Sequence, residues 1–473
     1  MFDNMYGIDI IFTGACNMKC TYCYIHKHPD NMREYNAKIR TALTDGSYVQ
    51  KIRESFEGRK EQLQRIGLWG AEPTINADCF APFALPLLQE FPSLNHFLVS
   101  TNALLGLPAV KQFIDTLCDF AIENKRYIWF ELQFSLDGPA YINDSSRHPG
   151  ATDNTVKVLK EVVQYYLDRT KENPDVEEYF GLDINTKPTV DAHWQKYLVE
   201  HNDKLIEWFD FFDQLHTECV NMCGECVPEK LNFCIANLPT VVDPGEHSIE
   251  DGKIFAQFVK ALRHLDVSRW NYYRHPLNWQ FYRSYAHQLG QYKGYIVQPG
   301  AYCCSAGRET WSLDYKGDVQ VCHRAFDNAY MGLSQAARDI IPDISTEGYY
   351  GEKRIDQLVA LDYTNLLFHG LDGTACRLRF ISYELQALVI TGQYSPEILD
   401  EDRMKLLLQY IGGISCHQGQ LEETGSIYVT TLSYINLLAN GAVDELQYYF
   451  TIADQLNEEQ LGNRQEGDSN ESC

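Results

Sequence analysis

The chain is 473 residues long, carries a formal net charge of −25 and is 45% hydrophobic. This length and apolar content suffice for two or three packed cores and exclude a wholly disordered protein. The negative charge argues against a nucleic-acid partner, because binding a phosphate backbone needs a positively charged surface. No apolar stretch reaches the roughly 20 residues of a membrane span, and the first residues do not resemble a signal peptide. We therefore expect a cytoplasmic protein with no membrane partner, whose 15 cysteines are metal ligands or free thiols.

Three cysteines follow the first predicted strand. Residues 8–12 form a short apolar run, which indicates a buried strand, and a small-residue turn then leads to Cys16, Cys20 and Cys23. Three thiolates within eight residues can face one inorganic centre. They leave one coordination position open if that centre contains four metals. A structural zinc knuckle is the alternative interpretation.

Strands and helices alternate along the next part of the chain. After a polar segment at 25–44, the sequence predicts helices over 45–65, 79–90, 109–124 and 154–168, and strands over 66–70, 96–101, 127–136 and within 178–190. This alternation predicts an α/β fold with a parallel sheet and helical crossovers. Functional groups of such folds lie at the carboxyl ends of the strands. Glu72, Asn102, Ser135 and Asp137 each end or follow a predicted strand.

A second group of cysteines repeats the spacing of the first. Residues 194–215 are predicted to be helical, and Cys219, Cys223 and Cys226 follow, with Cys234 as a fourth thiol. A closed set of four ligands is typical of a structural or electron-transfer centre, whereas an open set is typical of a catalytic one. The second group therefore predicts an auxiliary iron–sulfur site or a zinc site, since four sulfur ligands suit both.

The remaining part of the chain is predicted to contain helices and one hairpin. Residues 245–265 and 270–292 are helical in pattern. Residues 311–313 and 319–321 flank a Lys-Gly-Asp turn and predict a β-hairpin, which would bring Cys304 and Cys322 towards each other. Helical patterns continue from residue 355, and the tail over 457–473 is predicted to be disordered.

The first cysteine group resembles a family signature. Residues 16–23, CNMKCTYC, resemble the Cys-x3-Cys-x-aromatic-Cys signature of radical S-adenosylmethionine enzymes, with Tyr22 in the aromatic position. The resemblance implies that Cys16, Cys20 and Cys23 hold a [4Fe–4S] cluster whose fourth iron binds S-adenosylmethionine. Cysteine thiolates are the usual ligands of such clusters.

Two further segments resemble motifs of the same family. Gly70, Ala71, Glu72 and Pro73 are similar to its Gly-Gly-Glu-Pro motif, which receives the amino group of S-adenosylmethionine. Alanine replaces the second glycine, which is tolerable if that position needs no positive φ. Residues 135–139, SLDGP, resemble the end of the fourth strand in the peptide-modifying branch, and they make Ser135 a cofactor-binding candidate and Asp137 a catalytic one.

Asn102 and Thr186 occupy comparable strand ends. We expect them either to contact the ribose or carboxylate of the cofactor or to act as turn and capping residues.

Cys304, Gly317 and Cys322 have the Cys-x12-Gly-x4-Cys form that begins the SPASM auxiliary-cluster domain of peptide-modifying radical enzymes. The dense downstream run of cysteines of a full domain is absent from the sequence. The resemblance therefore implies at most one cluster here, held by Cys304, Cys322, Cys376 and an uncertain fourth ligand such as Cys303.

The resemblance also implies an architecture. It predicts a partial (β/α)6 TIM-like barrel over 1–295 with a cysteine-rich insertion near 216–240. An auxiliary-cluster region of SPASM or TWITCH type would follow over 296–385, with C-terminal helices over 386–456. We expect no separate leader-peptide-binding domain before the first strand.

The implied activity is reductive cleavage of S-adenosylmethionine to a 5′-deoxyadenosyl radical, which abstracts hydrogen from a substrate. The expected substrate is a peptide or protein side chain, and the expected electron donor is a protein such as flavodoxin or ferredoxin. Two alternatives stay open: a radical enzyme acting on a small molecule, and a non-enzymatic zinc or iron–sulfur scaffold.

Overall fold

A computed structural model describes residues 7–23 and 29–235, together with positions 254, 257–258, 261, 310–313, 315 and 319–320. Several sequence predictions lie outside the described residues: the ligands Cys303, Cys304, Cys322 and Cys376, the helices over 386–456 and the tail over 457–473. The side chain of Cys234 is also outside this part, although its backbone is described.

One sheet organises the fold. Its strands are β1 (Gly7–Thr13), β2 (Arg65–Gly70), β3 (His96–Thr101), β4 (Ile128–Phe134), β5 (Phe180–Thr186), β6 (Leu231–Cys234), β7 (Thr310–Leu313) and β8 (Val319–Gln320). They are hydrogen-bonded in the order β6-β5-β4-β3-β2-β1-β7-β8. All pairs among β1 to β7 are parallel, and β8 is antiparallel to β7. The predicted α/β class with a parallel sheet is therefore confirmed.

Helices connect the consecutive strands from β1 to β6. They are α1 (Pro29–Thr44), α2 (Ser47–Ser55), α3 (Phe80–Glu90), α4 (Leu107–Asn124), α5 (Ala140–Ser146), α6 (Ala151–Glu172), α7 (Asp175–Tyr179), α8 (Ala192–Glu200) and α9 (Asn202–Met222). Helix α3 contacts α4, α4 contacts α6, and α6 contacts α9. Right-handed crossovers between strands added in one direction place such a row of helices on one face of the sheet. Within the described ranges, no helix is long and apolar enough to cross a membrane.

The helix-covered face of the sheet is apolar. Ile8, Ile66 and Phe97 lie in register on β1, β2 and β3, and each is 0% exposed. Phe80 of α3 packs edge-on against Phe97, with 5.8 Å between ring centroids. Each large apolar side chain buried in this way stabilises the fold by roughly 1.5–3 kcal/mol.

The opposite face of the sheet is polar, and we call it the polar face. Three rows cross this face from the amino towards the carboxyl ends of the strands. The first contains Arg65, His96 and Trp129. The second contains Ser312, Asp9, Gly67, Leu98, Glu131, Asp183 and Asn232, and the third contains Ile11, Trp69, Ser100, Gln133 and Asn185. Successive side chains of a strand point to opposite faces, so the apolar and polar sets alternate along each strand.

Two helices differ from the sequence prediction. Helix α1 occupies most of residues 25–44, for which the sequence indicated only a polar segment. Its buried residues Tyr35, Ile39 and Leu43 recur every four positions and form one apolar face of the helix. The helix predicted over 45–65 is shorter than expected, because α2 ends at Ser55. Phe56, the C-cap residue of α2, packs edge-on against Phe91 with 5.9 Å between ring centroids.

The predicted hairpin is confirmed and extends the main sheet. Ser312 pairs with Gln320 and Leu313 with Val319 in antiparallel register. Strand β7 also pairs in parallel with β1, so the hairpin extends the sheet on the side of β1 opposite to β2. The Tyr48 hydroxyl of α2 donates a hydrogen bond to Leu313 O, which fastens the hairpin to a helix.

Candidate functional site

The residues predicted to form a site meet at one edge of the sheet. Residues 14–23, which we call the cysteine loop, follow β1, while Glu72, Asn102 and Asp137 follow β2, β3 and β4. Because these strands are parallel, their carboxyl ends lie along the same edge. The predicted placement of these residues after strand ends is therefore confirmed.

The cysteine loop is hydrogen-bonded to the end of β2. Ala71 N–H donates to Thr13 O at 3.1 Å, and Glu72 N–H donates to Ala15 O at 2.9 Å. Gly70 allows this approach, because its φ is 124° and a Cβ there would lie 2.2 Å from Thr13 O. Ala71 is not among the described residues with a positive φ, so alanine in place of the second glycine causes no backbone strain.

Two asparagines hold the start of the cysteine loop from its other side. Asn36 Oδ1 of α1 accepts hydrogen bonds from Thr13 Oγ1 at 2.9 Å and from Gly14 N–H at 3.1 Å. The buried Asn76 donates from Nδ2 to Phe12 O at 2.8 Å and to Asn36 Oδ1 at 3.1 Å. These bonds satisfy backbone groups that leave the strand, and they fix where the loop begins.

Cys16 is the best-defined thiol of the cysteine loop. Its Sγ accepts from Met18 N–H at 3.4 Å, and Asn102 Nδ2 is a second donor at 3.7 Å. Burial raises the pKa of Cys16 to about 12; the Met18 hydrogen bond opposes this rise, and the charge of Glu72 adds to it. The thiol is therefore protonated at neutral pH, and any metal that it bound would have to displace this proton.

An iron–sulfur cluster and a single zinc ion place different demands on the thiols of the cysteine loop. Within the part of the chain that the structure describes, no three His, Cys, Asp or Glu side chains are grouped so that they could hold one metal ion. In a zinc knuckle the sulfurs all lie about 2.3 Å from the same ion. In a [4Fe–4S] cluster the thiolates bind different irons, and hydrogen bonds to sulfur, as at Cys16, tune the potential.

Glu72 is buried beside Cys16 and accepts hydrogen bonds from the end of β3 and from Thr74. It is 1% exposed. Its Oε1 accepts from Thr74 N–H (3.2 Å), Thr74 Oγ1 (2.5 Å) and Thr101 Oγ1 (2.7 Å), and its Oε2 accepts from Asn102 N–H (2.7 Å). Burial raises the pKa of Glu72, and these hydrogen bonds oppose the rise. A carboxylate has about four lone-pair sites, so Oε2, with one donor, retains a site for another.

Asn102 connects the end of β3 to the cysteine loop. Its Nδ2 donates to Asn17 Oδ1 at 2.8 Å, and its Oδ1 accepts from Leu104 N–H at 2.9 Å. The second bond is typical of a turn-forming asparagine. Asn102 is therefore a turn residue, which is one of the two roles predicted for it from the sequence. It also contacts the cysteine loop.

Asp137 is fully buried, and its carboxylate accepts four hydrogen bonds. Oδ2 accepts from the Tyr22 hydroxyl at 2.7 Å and from Arg147 Nε at 2.8 Å. Oδ1 accepts from Arg147 Nη2 at 2.7 Å and from Thr189 N–H at 2.7 Å. All four lone-pair sites are occupied, so this arrangement leaves no site for a substrate proton. The geometry fits a residue that holds others in position.

Arg147 connects this carboxylate to the cysteine loop. Its guanidinium lies 5.4 Å from the centroid of the Tyr22 ring. Burial lowers the pKa of Arg147, but the charge and hydrogen bonds of Asp137, together with the charges of Tyr22 and Cys20, raise it by more, so the side chain stays charged. Burial raises the pKa of Cys20, and Arg147 counteracts that rise. A fixed positive charge therefore lies beside Cys20.

The other predicted cofactor contacts lie along the same edge. Ser135 follows β4 and is partly buried, with its N–H donating to Thr101 O at 2.8 Å. Thr186 ends β5 and is 0% exposed. Pro73 begins a short 3-10 helix, Pro73–Cys79, which the Glu72 side chain caps by accepting from Thr74 N–H.

The second cysteine group lies at the end of α9. Cys219 is in the last turn and 0% exposed, Cys223 follows the helix, and Cys226 is exposed. Burial raises the pKa of Cys219 to about 12. Burial also raises the pKa of Cys223, and the charge of Cys226 adds to it, so these two thiols are near each other. Since Cys234 is described only by its backbone, the auxiliary or zinc site stays a prediction.

Three residues of the site were not identified from the sequence: Asn36, Asn76 and Arg147. Arg147 lies ten residues after Asp137, at the end of a short helix and outside any motif. The sequence did indicate that Asp137 has a cationic partner, because an aspartate that follows a buried strand needs one. The sequence does not show which of its 40 Lys and Arg residues takes that place.

The fold and site together define an α/β protein with three cysteines and two buried carboxylates, Glu72 and Asp137, at the carboxyl edge of a parallel sheet. Comparison with protein-family models gives no match to this chain, and comparison with curated proteins gives none either. A functional assignment therefore depends on the residues and their geometry.

Proposed function

We propose that this protein is a radical S-adenosylmethionine enzyme. One observation carries the proposal: the cysteine loop after β1 is hydrogen-bonded to the end of β2, where the buried Glu72 keeps one acceptor site on Oε2. Thiol donors and an acceptor for an ammonium group thus lie side by side. These are the two functions that a cluster and the amino group of S-adenosylmethionine require.

The sheet supports a partial (β/α)6 barrel as the framework of this enzyme. Strands β1 to β6 follow one another in sequence order and in parallel, and helices connect them. A barrel built in this way presents its polar face to the interior and its apolar face to the helices. The residues of the site would then line the upper rim of the interior.

In this proposal Cys16, Cys20 and Cys23 each bind one iron of a [4Fe–4S] cluster and leave the fourth iron to S-adenosylmethionine. When bound and reduced, the cluster supplies the electron that cleaves S-adenosylmethionine to methionine and a 5′-deoxyadenosyl radical. Glu72 accepts a hydrogen bond from the ammonium group, and Asn102 donates to the Cys16 sulfur. Ser135 and Thr186 are the proposed contacts for the rest of the cofactor.

Tyr22, Asp137 and Arg147 serve this site by holding the cysteine loop. The carboxylate of Asp137 is saturated by its four donors, so we assign it a positioning role instead of proton transfer. The Arg147 charge beside Cys20 favours the deprotonated thiol that a metal ligand must be. It also favours the extra negative charge of a reduced cluster.

The proposed substrate is a peptide or protein side chain, and the proposed reductant is a flavodoxin- or ferredoxin-like protein in the cytoplasm. Auxiliary iron–sulfur clusters on the second cysteine group and on Cys304, Cys322, Cys376 and Cys303 belong to the same proposal, with zinc as the other occupant of the second group. A nucleic-acid substrate is not proposed, because the chain carries a net charge of −25.

The test is formation of 5′-deoxyadenosine by the full-length chain, purified and reconstituted with iron and sulfide without oxygen, then mixed with S-adenosylmethionine and dithionite. The wild type should form it, and a Cys16→Ala/Cys20→Ala/Cys23→Ala variant should not. A Cys223→Ala/Cys226→Ala variant is the matched control and should keep the activity, since cleavage needs only the first group. Wild-type protein that contains iron but forms no 5′-deoxyadenosine would overturn the proposal.

A further inference from the structure

The polar face carries more negative than positive charge. Asp9, Glu131 and Asp183 share one row across the sheet. Asp9 is paired with Arg65, whose Nη1 donates to Oδ1 at 3.1 Å. In the described part of the chain, neither Glu131 nor Asp183 has a Lys or Arg partner; the nearest base to Glu131 is His96, with 3.5 Å between Nε2 and Oε2. Two carboxylates therefore lack a strong cation.

The next row of the polar face contains acceptors without donors. Asn185 is 5% exposed, and its Nδ2 donates to Glu131 Oε1 at 2.8 Å. A carboxylate accepts only, so this bond fixes the orientation of the carboxamide. The Asn185 Oδ1 that remains is buried, and no residue in the described part of the chain donates a hydrogen bond to it. Gln133, its neighbour in register on β4, is 9% exposed, and its Oε1 is likewise buried and unpartnered.

These acceptors lie near the candidate site. Asn185 is the last residue but one of β5, and Gln133 is the last but one of β4. At about 3.3 Å per residue, both are within roughly 7 Å of the carboxyl edge. Buried acceptors without donors are unfavourable and rare in proteins, so a bound group that supplies donors is the expected partner.

Aromatic rings border the same face. A Cβ on Gly67 would lie 2.3 Å from Asp9 Oδ1 and 2.7 Å from Trp69 Nε1, so these two side chains cover that glycine. Trp129 stacks on His96 with 4.1 Å between ring centroids, and it is 37% exposed. Indole faces attract cations, in addition to the carboxylates and the carboxamide oxygens.

We propose that the polar face around Gln133, Asn185 and Glu131 binds a cationic N–H donor of the substrate, namely the ammonium or guanidinium group of a lysine or arginine side chain in a peptide. The inference rests on the proposed function in taking a peptide as the substrate. A hydrogen-bond donor is required because both carboxamide oxygens accept, and the N–H groups of a cation supply it. A cation is favoured because Glu131 and Asp183 have no Lys or Arg partner in the described part of the chain, where the carboxamides of Asn185 and Asn232 donate to them at 2.8 and 2.7 Å.

The test is calorimetric binding of three capped tripeptides, Ac-Gly-Lys-Gly-NH2, Ac-Gly-Arg-Gly-NH2 and Ac-Gly-norleucine-Gly-NH2, to the full-length chain. The lysine or arginine peptide should bind at least about tenfold more tightly than the norleucine peptide, as for one hydrogen bond to a charged group. Equal affinities for all three peptides would overturn the proposal.

Single substitutions test whether binding of the basic peptide depends on this part of the polar face. Asn185→Leu and the near-isosteric Glu131→Gln should each weaken binding of the basic peptide about tenfold and leave the affinity for S-adenosylmethionine unchanged. Glu123→Gln makes the same charge change on the exposed surface of α4 and should alter neither affinity. A variant that weakens S-adenosylmethionine binding and spares peptide binding would show that the cofactor supplies the donors, which overturns the proposal.

Peptide binding needs neither the cluster nor turnover. Protein that binds basic peptides selectively but forms no 5′-deoxyadenosine would support this inference while overturning the proposed function.

Discussion

Replacing Gly70 by alanine should displace the cysteine loop. The new Cβ would lie 2.2 Å from Thr13 O and 3.2 Å from Thr13 C and N, which are main-chain atoms and cannot rotate away. A side chain at φ 124° also costs about 1–3 kcal/mol in backbone strain. Relieving the contact would break the hydrogen bond from Ala71 N–H to Thr13 O, worth about 1 kcal/mol. The expected loss of about 2–4 kcal/mol is a large share of the ~5–15 kcal/mol stability of a domain.

The assay compares Gly70→Ala with Ala71→Gly, a change of one methyl group at the adjacent position. Ala71→Gly should cost only about 0.5–1 kcal/mol, because it frees the unfolded backbone without straining the folded one. We expect Gly70→Ala to lower the thermal midpoint by several degrees and to lose most of the reconstituted iron, while Ala71→Gly keeps its iron. If Gly70→Ala melts and binds iron like the wild type, the contact between β2 and Thr13 does not position the loop.

Three further changes test other parts of the site. Arg147→Met leaves the buried Asp137 carboxylate without its cation and should lower the free energy of unfolding in urea by about 3–5 kcal/mol; a loss under about 1 kcal/mol would contradict the buried ion pair. Glu72→Gln should weaken S-adenosylmethionine binding in equilibrium dialysis at least about tenfold with unchanged iron content, and equal affinity would exclude Glu72 as the ammonium acceptor. Hydrogen bonds from Arg40 lower the pKa of Asp78, so this pair stabilises the fold above the ordinary carboxyl pKa of about 4 and loses that effect as the pH falls through the lower folded value. Asp78→Asn should therefore lose less stability than the wild type between about pH 5 and pH 2 in acid denaturation, and identical slopes would contradict the pairing.

The strand ends of the site were predictable because each strand has a local signal. The apolar run of β1 ends in a small-residue turn before Cys16, and β2 runs directly into Glu72, so both positions follow from residues next to them in the chain. The hairpin of β7 and β8 was predictable for the same reason, from its Lys-Gly-Asp turn.

Contacts between distant segments were not predictable. Arg147 reaches Asp137 through a turn and a short helix, and nothing in its neighbourhood marks it. Strand β6 has only four residues, too few for an alternating pattern to stand out. The parallel pairing of β7 with β1 joins segments about 300 residues apart, and pairing of that kind depends on the whole fold.

The polar face illustrates the same limit. In the sequence, Glu131 and Asp183 are single acidic residues within two separate, largely apolar strands. They become neighbours only through the register of β4 with β5. The unpartnered oxygen of Asn185 likewise depends on a hydrogen bond to Glu131, 54 residues away in the chain.

The central claim is that the cysteine loop holds a cluster whose open iron binds S-adenosylmethionine. Electron paramagnetic resonance of the reduced, iron-loaded chain tests it most directly, recorded with and without S-adenosylmethionine. The account predicts a signal that changes when S-adenosylmethionine is added and a Cys16→Ala/Cys20→Ala/Cys23→Ala variant in which that responsive signal is missing. A wild-type signal that S-adenosylmethionine leaves unchanged, or one that the triple variant retains in full, would contradict it.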